Sequence, residues 1–344
     1  MSQTRKPRIG ITIGDFNGIG PEVILKTLRD NRILNQFTPV IYASSKLIGR
    51  YKKILSINLN YHKSGPHNGF KVEEERVNLV NCWTDNISVQ PGKVTQEAAR
   101  CAFLSIKHST DALHRGDIDA VVTAPIKKES LQQAGFNFPG HTEYYAEAAG
   151  AEFSLMMMVS EGLRVGMLTG HVPLREVSEH INSPDLSVKL QLMSESLRKD
   201  FGIQRPKIAV LGVNPHAGEG GILGDEEEKV LIPTIQKFKK QGELVFGPFP
   251  ADGFFGMQQY KKYDGIMAMY HDQGLIPFKL MHFEKGVNFT AGLSNLLRTS
   301  VDHGTAYDIA GKNVADPTSM REALFLACDI TRRRWAWAQK RVSY

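Results

Sequence analysis

The feature that most constrains this chain is a repeated change of hydrophobic period. Short apolar, β-branched runs at 9–13, 40–43, 120–123, 163–169, 208–213 and 265–270 read as strands. Between them lie stretches in which apolar residues recur every three or four positions, at 21–29, 94–114, 142–149, 187–201 and 226–240, and these read as helices. Regular alternation of this kind specifies an α/β fold. With 344 residues a single core begins to saturate, so two lobes sharing one sheet, or two domains, are expected. The stretch 51–86, rich in Asn, Lys, His and Glu and broken by Ser64-Gly65-Pro66, reads as an excursion holding a strand or two. No internal repeat and no Pro- or Ser-rich tether interrupts the pattern.

Composition narrows the function classes. Lys and Arg number 42 against 36 Asp and Glu, a net +6 that suits a phosphorylated or carboxylate substrate. Nucleic acid is not expected as a partner, because the densest basic runs, 237–240 and 332–334, are short and fall in helical stretches where solvated faces account for them. Cys82, Cys101 and Cys328 are odd in number and form no CxxC pair, which argues against a disulfide framework and a thiolate metal site, and for a reducing cytoplasm. No apolar run approaches the roughly 20 residues that span a bilayer, so no membrane association is expected.

The common nucleotide and hydrolase signatures, GxGxxG, GxxxxGK[ST], HExxH and GxSxG, are all missing. The first strand is followed instead by Gly14-Asp-Phe-Asn-Gly-Ile-Gly-Pro-Glu22, which builds a helix N-terminus: either an anion site or a plain strand-to-helix turn. Four histidines sit in Gly/Pro-punctuated segments: His141, His171, His216 and His271, the last three directly after predicted strands. Ligands of open α/β sheets bind beyond the carboxyl ends of strands, so these side chains should converge. Three neutral imidazoles with an open position make a catalytic divalent-metal site, nitrogen ligation favouring Zn, Co, Ni or Mn over Mg. Asp272 could orient a ligating ring, take a proton or cap its loop. Lys127 or Lys128, after the 120–123 strand, could serve proton transfer. Lys279, Asn288 and Arg298 follow in a stretch dense with turns and offer two cations and an amide to a phosphate or carboxylate. The small residues of 303–317 would let a flat ring or a ribose approach the backbone.

These segments together resemble the 4-hydroxythreonine-4-phosphate dehydrogenase (PdxA) family. The resemblance spans nearly the whole chain, through 14–22, 123–128, 140–143, 170–174, 214–219, 270–274 and 298–304. The first motif and 303–317 are similar also to the wider isocitrate and isopropylmalate dehydrogenase superfamily, which binds NAD without a GxGxxG loop. The resemblance implies an isopropylmalate dehydrogenase-like α/β/α fold of two lobes, 1–128 with 275–344 and 129–274, a mostly parallel mixed sheet, and an active site in the cleft between lobes. It implies His171, His216 and His271 as ligands of one divalent metal (Zn, Co or Mg), and His141, Thr142, Lys279, Asn288 and Arg298 as contacts to a small phosphorylated amino-acid substrate. His303, Gly304, Thr305 and Asp308 would hold NAD or NADP, and Lys128, Asp252 and Asp272 are the choices for proton transfer, in that order. The family is homodimeric, with a site completed across the interface. The implied reaction is oxidation of 4-phosphooxy-L-threonine at C3 followed by loss of CO2, in vitamin B6 biosynthesis. Two departures stand out: the long 51–86 excursion and one extra residue within 295–298, before the arginine. A sister dehydrogenase of a phosphorylated threonate or erythronate is the near alternative, and a metallohydrolase or a non-catalytic phosphate sensor the distant ones.

Overall fold

The computed structural model describes residues 5–65, 71–293 and 295–342, with the side chains of 341 and 342 left out. Pro66 of the expected 64–66 break and the first four residues of the chain therefore lie outside the described residues. Along the chain the strands are β1 (Arg8–Thr12), β2 (Thr38–Ala43), β3 (Tyr61–Ser64), β4 (Val77–Asn81), β5 (Ala120–Thr123), β6 (Leu155–Ser160), β7 (Leu163–Met167), β8 (Lys207–Leu211), β9 (Leu244–Phe249), β10 (Gly265–Ala268), β11 (Val287–Ala291) and β12 (Arg298–Val301). The helices are α1 (Gly20–Leu28), α2 (Ser45–Ile54), α3 (Gln96–Arg115), α4 (Lys128–Gln133), α5 (His141–Ala148), α6 (Ser183–Lys199), α7 (Ile232–Lys240), α8 (Ala251–Gly256), α9 (His271–His282) and α10 (Thr318–Val342).

Two compact units result, Met1–Gly150 with Ser294–Arg332 and Ala151–Leu293 with Arg333–Tyr344. The boundaries thus fall at 150 and 293 rather than at 128 and 274, and 333–344, expected in the first lobe, belongs to the second unit. The physical reason is packing: α4 lies on α3, whereas α9 lies on β7 and β10, and β11 pairs with β6.

In unit one the strand order is β3-β4-β2-β1-β5-β12 and every pairing is parallel. β2, Thr-Pro-Val-Ile-Tyr-Ala, is buried at all its positions, as a strand covered on both faces must be. The helices that cover it start on local caps: Ser44 accepts the Leu47 N–H at α2, and Thr95 accepts the Ala98 N–H at α3. The expected excursion resolves into the end of α2 and the edge pair β3–β4.

In unit two the order is β11-β6-β7-β10-β8-β9, with β11/β6 and β6/β7 antiparallel and the rest parallel. Its core gathers Met158, Val165, Leu211, Phe254, Ile266 and Phe278, all almost fully buried. The 332–334 run is only partly a solvated face: Arg334 Nε donates to the buried Asp200 at 2.7 Å and Arg333 Nη1 to the Asp200 carbonyl at 3.2 Å. The three cysteines are free and buried. Among the described residues no helix is long and apolar enough to cross a membrane.

Candidate functional site

Unit one brings together a set of cationic and neutral donors. Arg298, the first residue of β12, is 3 % exposed and donates from Nε and Nη2 to Thr123 Oγ1 at 3.1 and 2.9 Å, and from Nη1 to Thr142 Oγ1 at 3.4 Å. Burial, more than any neighbouring charge, pushes its guanidinium pKa down to about 10. Thr142 and His141 open α5, and the His141 Nε2 is buried without a hydrogen-bond partner. Burial first, then the charges of Arg298 and Lys128, hold the His141 imidazole well below its usual pKa, so the ring is neutral at neutral pH. Lys128 opens α4, and its ammonium lies 3.7 Å from where a Gly140 Cβ would stand. A neutral ring that can donate, beside a buried guanidinium and an ammonium, is the donor set of an anion pocket.

Unit two brings together His171 and His271. His171 follows β7 and His271 is the first residue of α9; their ring centroids are 5.6 Å apart. Gly274 makes that approach feasible, because a Cβ there would sit 2.9 Å from Val165 on β7. His271 Nδ1 is 2.7 Å from Asp272 Oδ1. A carboxylate only accepts, so in this contact Nδ1 is the donor. Both rings border a pocket of about 290 Å³ that also includes Asp272, Tyr270, Val172 and Leu174.

His216 does not join them. It sits in the turn Pro215–Gly218 after β8, exposed, with φ of 53° for itself and 52° for Ala217, a left-handed run that non-glycine residues seldom adopt. Among the described residues no three His, Cys, Asp or Glu side chains are grouped closely enough to hold a metal ion. Two of the three expected donors therefore fit a divalent cation within one chain, and the third does not close the set.

The His216 turn is held by residues that sequence reasoning missed. The buried Glu227 accepts the Val213 and Asn214 N–H groups at 2.7 and 2.8 Å on Oε1 and Asn214 Nδ2 at 2.9 Å on Oε2. Glu226 accepts from Asn214 Nδ2 at 2.7 Å and from Ser178 Oγ. Gln273 accepts the Met269 N–H at 2.7 Å and donates to the Gly212 carbonyl at 2.6 Å, tying the end of β10 to the end of β8. Of these, Asn214 and Gln273 carried a sequence signal, inside the 214–219 and 270–274 motifs.

Asp252 lies exposed on α8, which packs against the His216 turn, and Asp272 is exposed beside His271. Lys279 and Asn288 are not in a stretch dense with turns: Lys279 is half-buried on α9, and Asn288 is on β11 with its Oδ1 buried and without a hydrogen-bond partner. Lys127 pairs with Glu129 at 3.3 Å, which leaves Lys128 as the lysine beside His141. In the 14–22 segment the N–H groups of Asp15, Asn17, Gly18 and Ile19 donate to the chain's own oxygens. In the 303–308 segment His303 Nε2 is buried without a hydrogen-bond partner, and burial lowers its pKa. Nothing crowds Gly304, and Asp308 is exposed. An orphaned ring nitrogen beside open backbone fits a polar ligand such as a dinucleotide.

The model of the pyridoxal phosphate biosynthetic protein PdxA matches residues 35–327. A 4-hydroxythreonine-4-phosphate dehydrogenase of Bacteroides thetaiotaomicron is 44% identical over 333 residues, covering 96% of this chain and 91% of its own. A protein of Oceanobacillus iheyensis named as a candidate D-threonate 4-phosphate dehydrogenase is 40% identical over 331 residues, covering 95% and 98%. Among solved structures, the 4-hydroxythreonine-4-phosphate dehydrogenase of Klebsiella pneumoniae superimposes with a TM-score of 0.82 at 35% identity, covering 96% and 99%.

Proposed function

The chain belongs to the family of the pyridoxal phosphate biosynthetic protein PdxA and is a dehydrogenase, and from that premise we propose that it oxidises 4-phosphooxy-L-threonine at C3 with NAD. NADP is the alternative acceptor. The product, 2-amino-3-oxo-4-phosphooxybutanoate, loses CO2 to leave 3-amino-2-oxopropyl phosphate, a step of vitamin B6 biosynthesis in the cytoplasm. The observation that carries the substrate class is the anion pocket of unit one, where a buried guanidinium, a neutral His141 with a free Nε2 and the Lys128 ammonium lie together. A phosphate ester is the ligand such a set binds most strongly.

Arg298, His141 and Thr142 hold the phosphate, and Lys279 and Asn288 hold the rest of the substrate. Lys128, once it has released its own proton, is our first choice to accept the hydroxyl proton as the C3 hydride leaves for NAD, with Asp252 and then Asp272 after it. Asp272 is better placed to orient His271 than to reach substrate. His303, Gly304, Thr305 and Asp308 receive the dinucleotide. His171, His216 and His271 would hold one divalent cation (Zn, Co or Mg), whose charge acidifies the substrate hydroxyl and stabilises the anion left by decarboxylation.

Because one chain does not close the three-histidine set, the reading includes a homodimer in which the partner completes it. The outer face of α9 supports this: Ile276, Leu280 and Phe283 are 65, 86 and 73 % exposed, one apolar stripe on the helix that begins with His271. Mixing His216→Ala with His271→Ala protein tests both claims together. If ligands come from opposite chains, half the re-formed dimers carry one intact site of two, and NADH formation returns to about a quarter of wild type. Homodimers of either variant stay inactive. No recovery on mixing would refute the shared site, and metal-independent NADH formation by the wild type would refute the metal.

A second reading is supported by the Oceanobacillus relative, whose name specifies a substrate with a hydroxyl where phosphothreonine carries an amine. Side-by-side kcat/KM for 4-phosphooxy-L-threonine and D-threonate 4-phosphate decides between them.

A further inference from the structure

None of the roles above uses the 14–22 segment, yet it carries two buried carboxylates, Asp15 at 2 % and Glu22 at 0 % exposure. Burying ionisable side chains is costly, the more so because Glu22 Oε2 is buried without a hydrogen-bond partner, and a plain turn has no need of them. Both carboxylates are committed to one distant segment of unit one. Tyr307 Oη donates to Asp15 Oδ2 at 2.7 Å. The Ala315 N–H donates to Glu22 Oε1 at 2.8 Å, and Lys26 Nζ bridges the same Glu22 oxygen and the Ala315 carbonyl, at 2.8 Å each. The Ile19 N–H donates to the Thr305 carbonyl at 2.9 Å. Gly18 permits that approach, because a Cβ there would lie 2.7 Å from the Thr305 oxygen.

The 305–315 loop is therefore pinned near its start by Ile19 and Asp15 and at its end by Glu22 and Lys26. An irregular loop with few regular hydrogen bonds would otherwise sample many shapes, and ordering it on ligand binding would subtract from affinity. We propose that Asp15 and Glu22 are positioning residues for the dinucleotide: they hold the 303–315 backbone, ahead of binding, in the shape that receives it. The pair does for this chain what a glycine-rich phosphate loop does elsewhere, by fixing a second segment rather than by offering its own N–H groups. The inference rests on the reading of 303–308 as the cofactor loop.

Tyr307→Phe removes the donor to Asp15 and leaves the rest of the loop intact, and Asp15→Ala removes the acceptor. Asp15→Asn, which keeps an oxygen and adds a donor to meet the Tyr307 hydroxyl, is the conservative control. Two readouts are taken on the full-length protein: amide hydrogen exchange across 303–315 with and without NAD, and the Kd for NAD by calorimetry. In the wild type NAD should slow exchange across the loop. In Tyr307→Phe and Asp15→Ala the apo loop should exchange faster and the Kd and KM for NAD should rise about tenfold, while kcat and the KM for the phosphorylated substrate hold within about twofold. Asp15→Asn should stay near wild type. Gly18→Ala, which pushes Thr305 outward, gives the same Kd rise by a route that leaves both side chains in place. An unchanged Kd for NAD in Tyr307→Phe and Gly18→Ala overturns the positioning role. If NAD leaves 303–315 exchange untouched in the wild type, the cofactor-loop reading itself falls, and the proposal with it.

Discussion

Glu227→Gln tests how the His216 turn is held. The carboxylate is 1 % exposed and accepts two backbone N–H groups on one oxygen, at 2.7 and 2.8 Å, and the Asn214 amide on the other, at 2.9 Å. Hydrogen bonds to a charged acceptor contribute about 1.5–3 kcal/mol each and neutral ones about 1 kcal/mol. Glutamine keeps an oxygen for the two backbone donors at the weaker value, a loss of roughly 1–4 kcal/mol over the pair, and turns an amide toward the Asn214 amide, forfeiting roughly 1.5 kcal/mol more. Neutralising a buried charge returns part of this. The net is about 2 kcal/mol against the folded turn, which also stores the strain of left-handed His216, Ala217 and Glu219, about 1 kcal/mol each. Native-state hydrogen exchange reads the change at the donors themselves: the Val213 and Asn214 amides should exchange about 30-fold faster in the variant, with amides of β2 and β5 unmoved. Unchanged exchange at those two positions would refute the reasoning, because it would mean the carboxylate does not hold the turn.

Three further outcomes are expected. Ala217→Gly should raise the midpoint of urea unfolding, by up to about 1 kcal/mol in stability, since glycine adopts φ near 52° without strain; a lower midpoint would show that the Ala217 methyl packing on Gly212 matters more. His141 and His303 have folded pKa values below the free value of 6.5, so below that pH the unfolded chain binds protons that the native state refuses. Stability should then be constant above pH 6.5 and fall below it, by up to about 1.4 kcal/mol per pH unit for each ring, and urea titrations of His141→Gln from pH 7 to 5 should show a shallower fall than wild type. Phe254→Ala, in the core of unit two and 1 % exposed, should cost about 3–5 kcal/mol, and a smaller loss by thermal unfolding would mean that the aromatic cluster around Tyr263 collapses into the space.

The elements that were legible in the sequence are those whose signal is local. The strand at 120–123 appears with its expected ends, and β1, β7, β8 and β10 fall within a residue or two of theirs, because apolar β-branched runs covered on both faces need no distant information. The histidines after β7, β8 and β10 were legible for the same reason, as residues placed just past strand ends. α9, β11 and β12 were not: Pro277 inside α9 and the turn residues around it mimic loop chemistry, and packing on β7 overrides that local preference. The domain boundaries differ because α4 packs back on α3, and because β11 pairs with β6, a segment far from it in the chain.

The sequence by itself determined the α/β class and, through the resemblance of its motifs, the family, and it named candidate site residues by residue type and by position relative to a strand. Only the tertiary structure decided what those side chains meet. It neutralised His141 by burying it beside Arg298, and it set the His271 ring against the Asp272 carboxylate. It set His216 in a left-handed turn, outside any group of three metal donors among the described residues, and it tied the 14–22 segment to 305–315. Each of these depends on solvent exclusion and on contacts between residues distant in sequence, quantities that have no local signature in the chain.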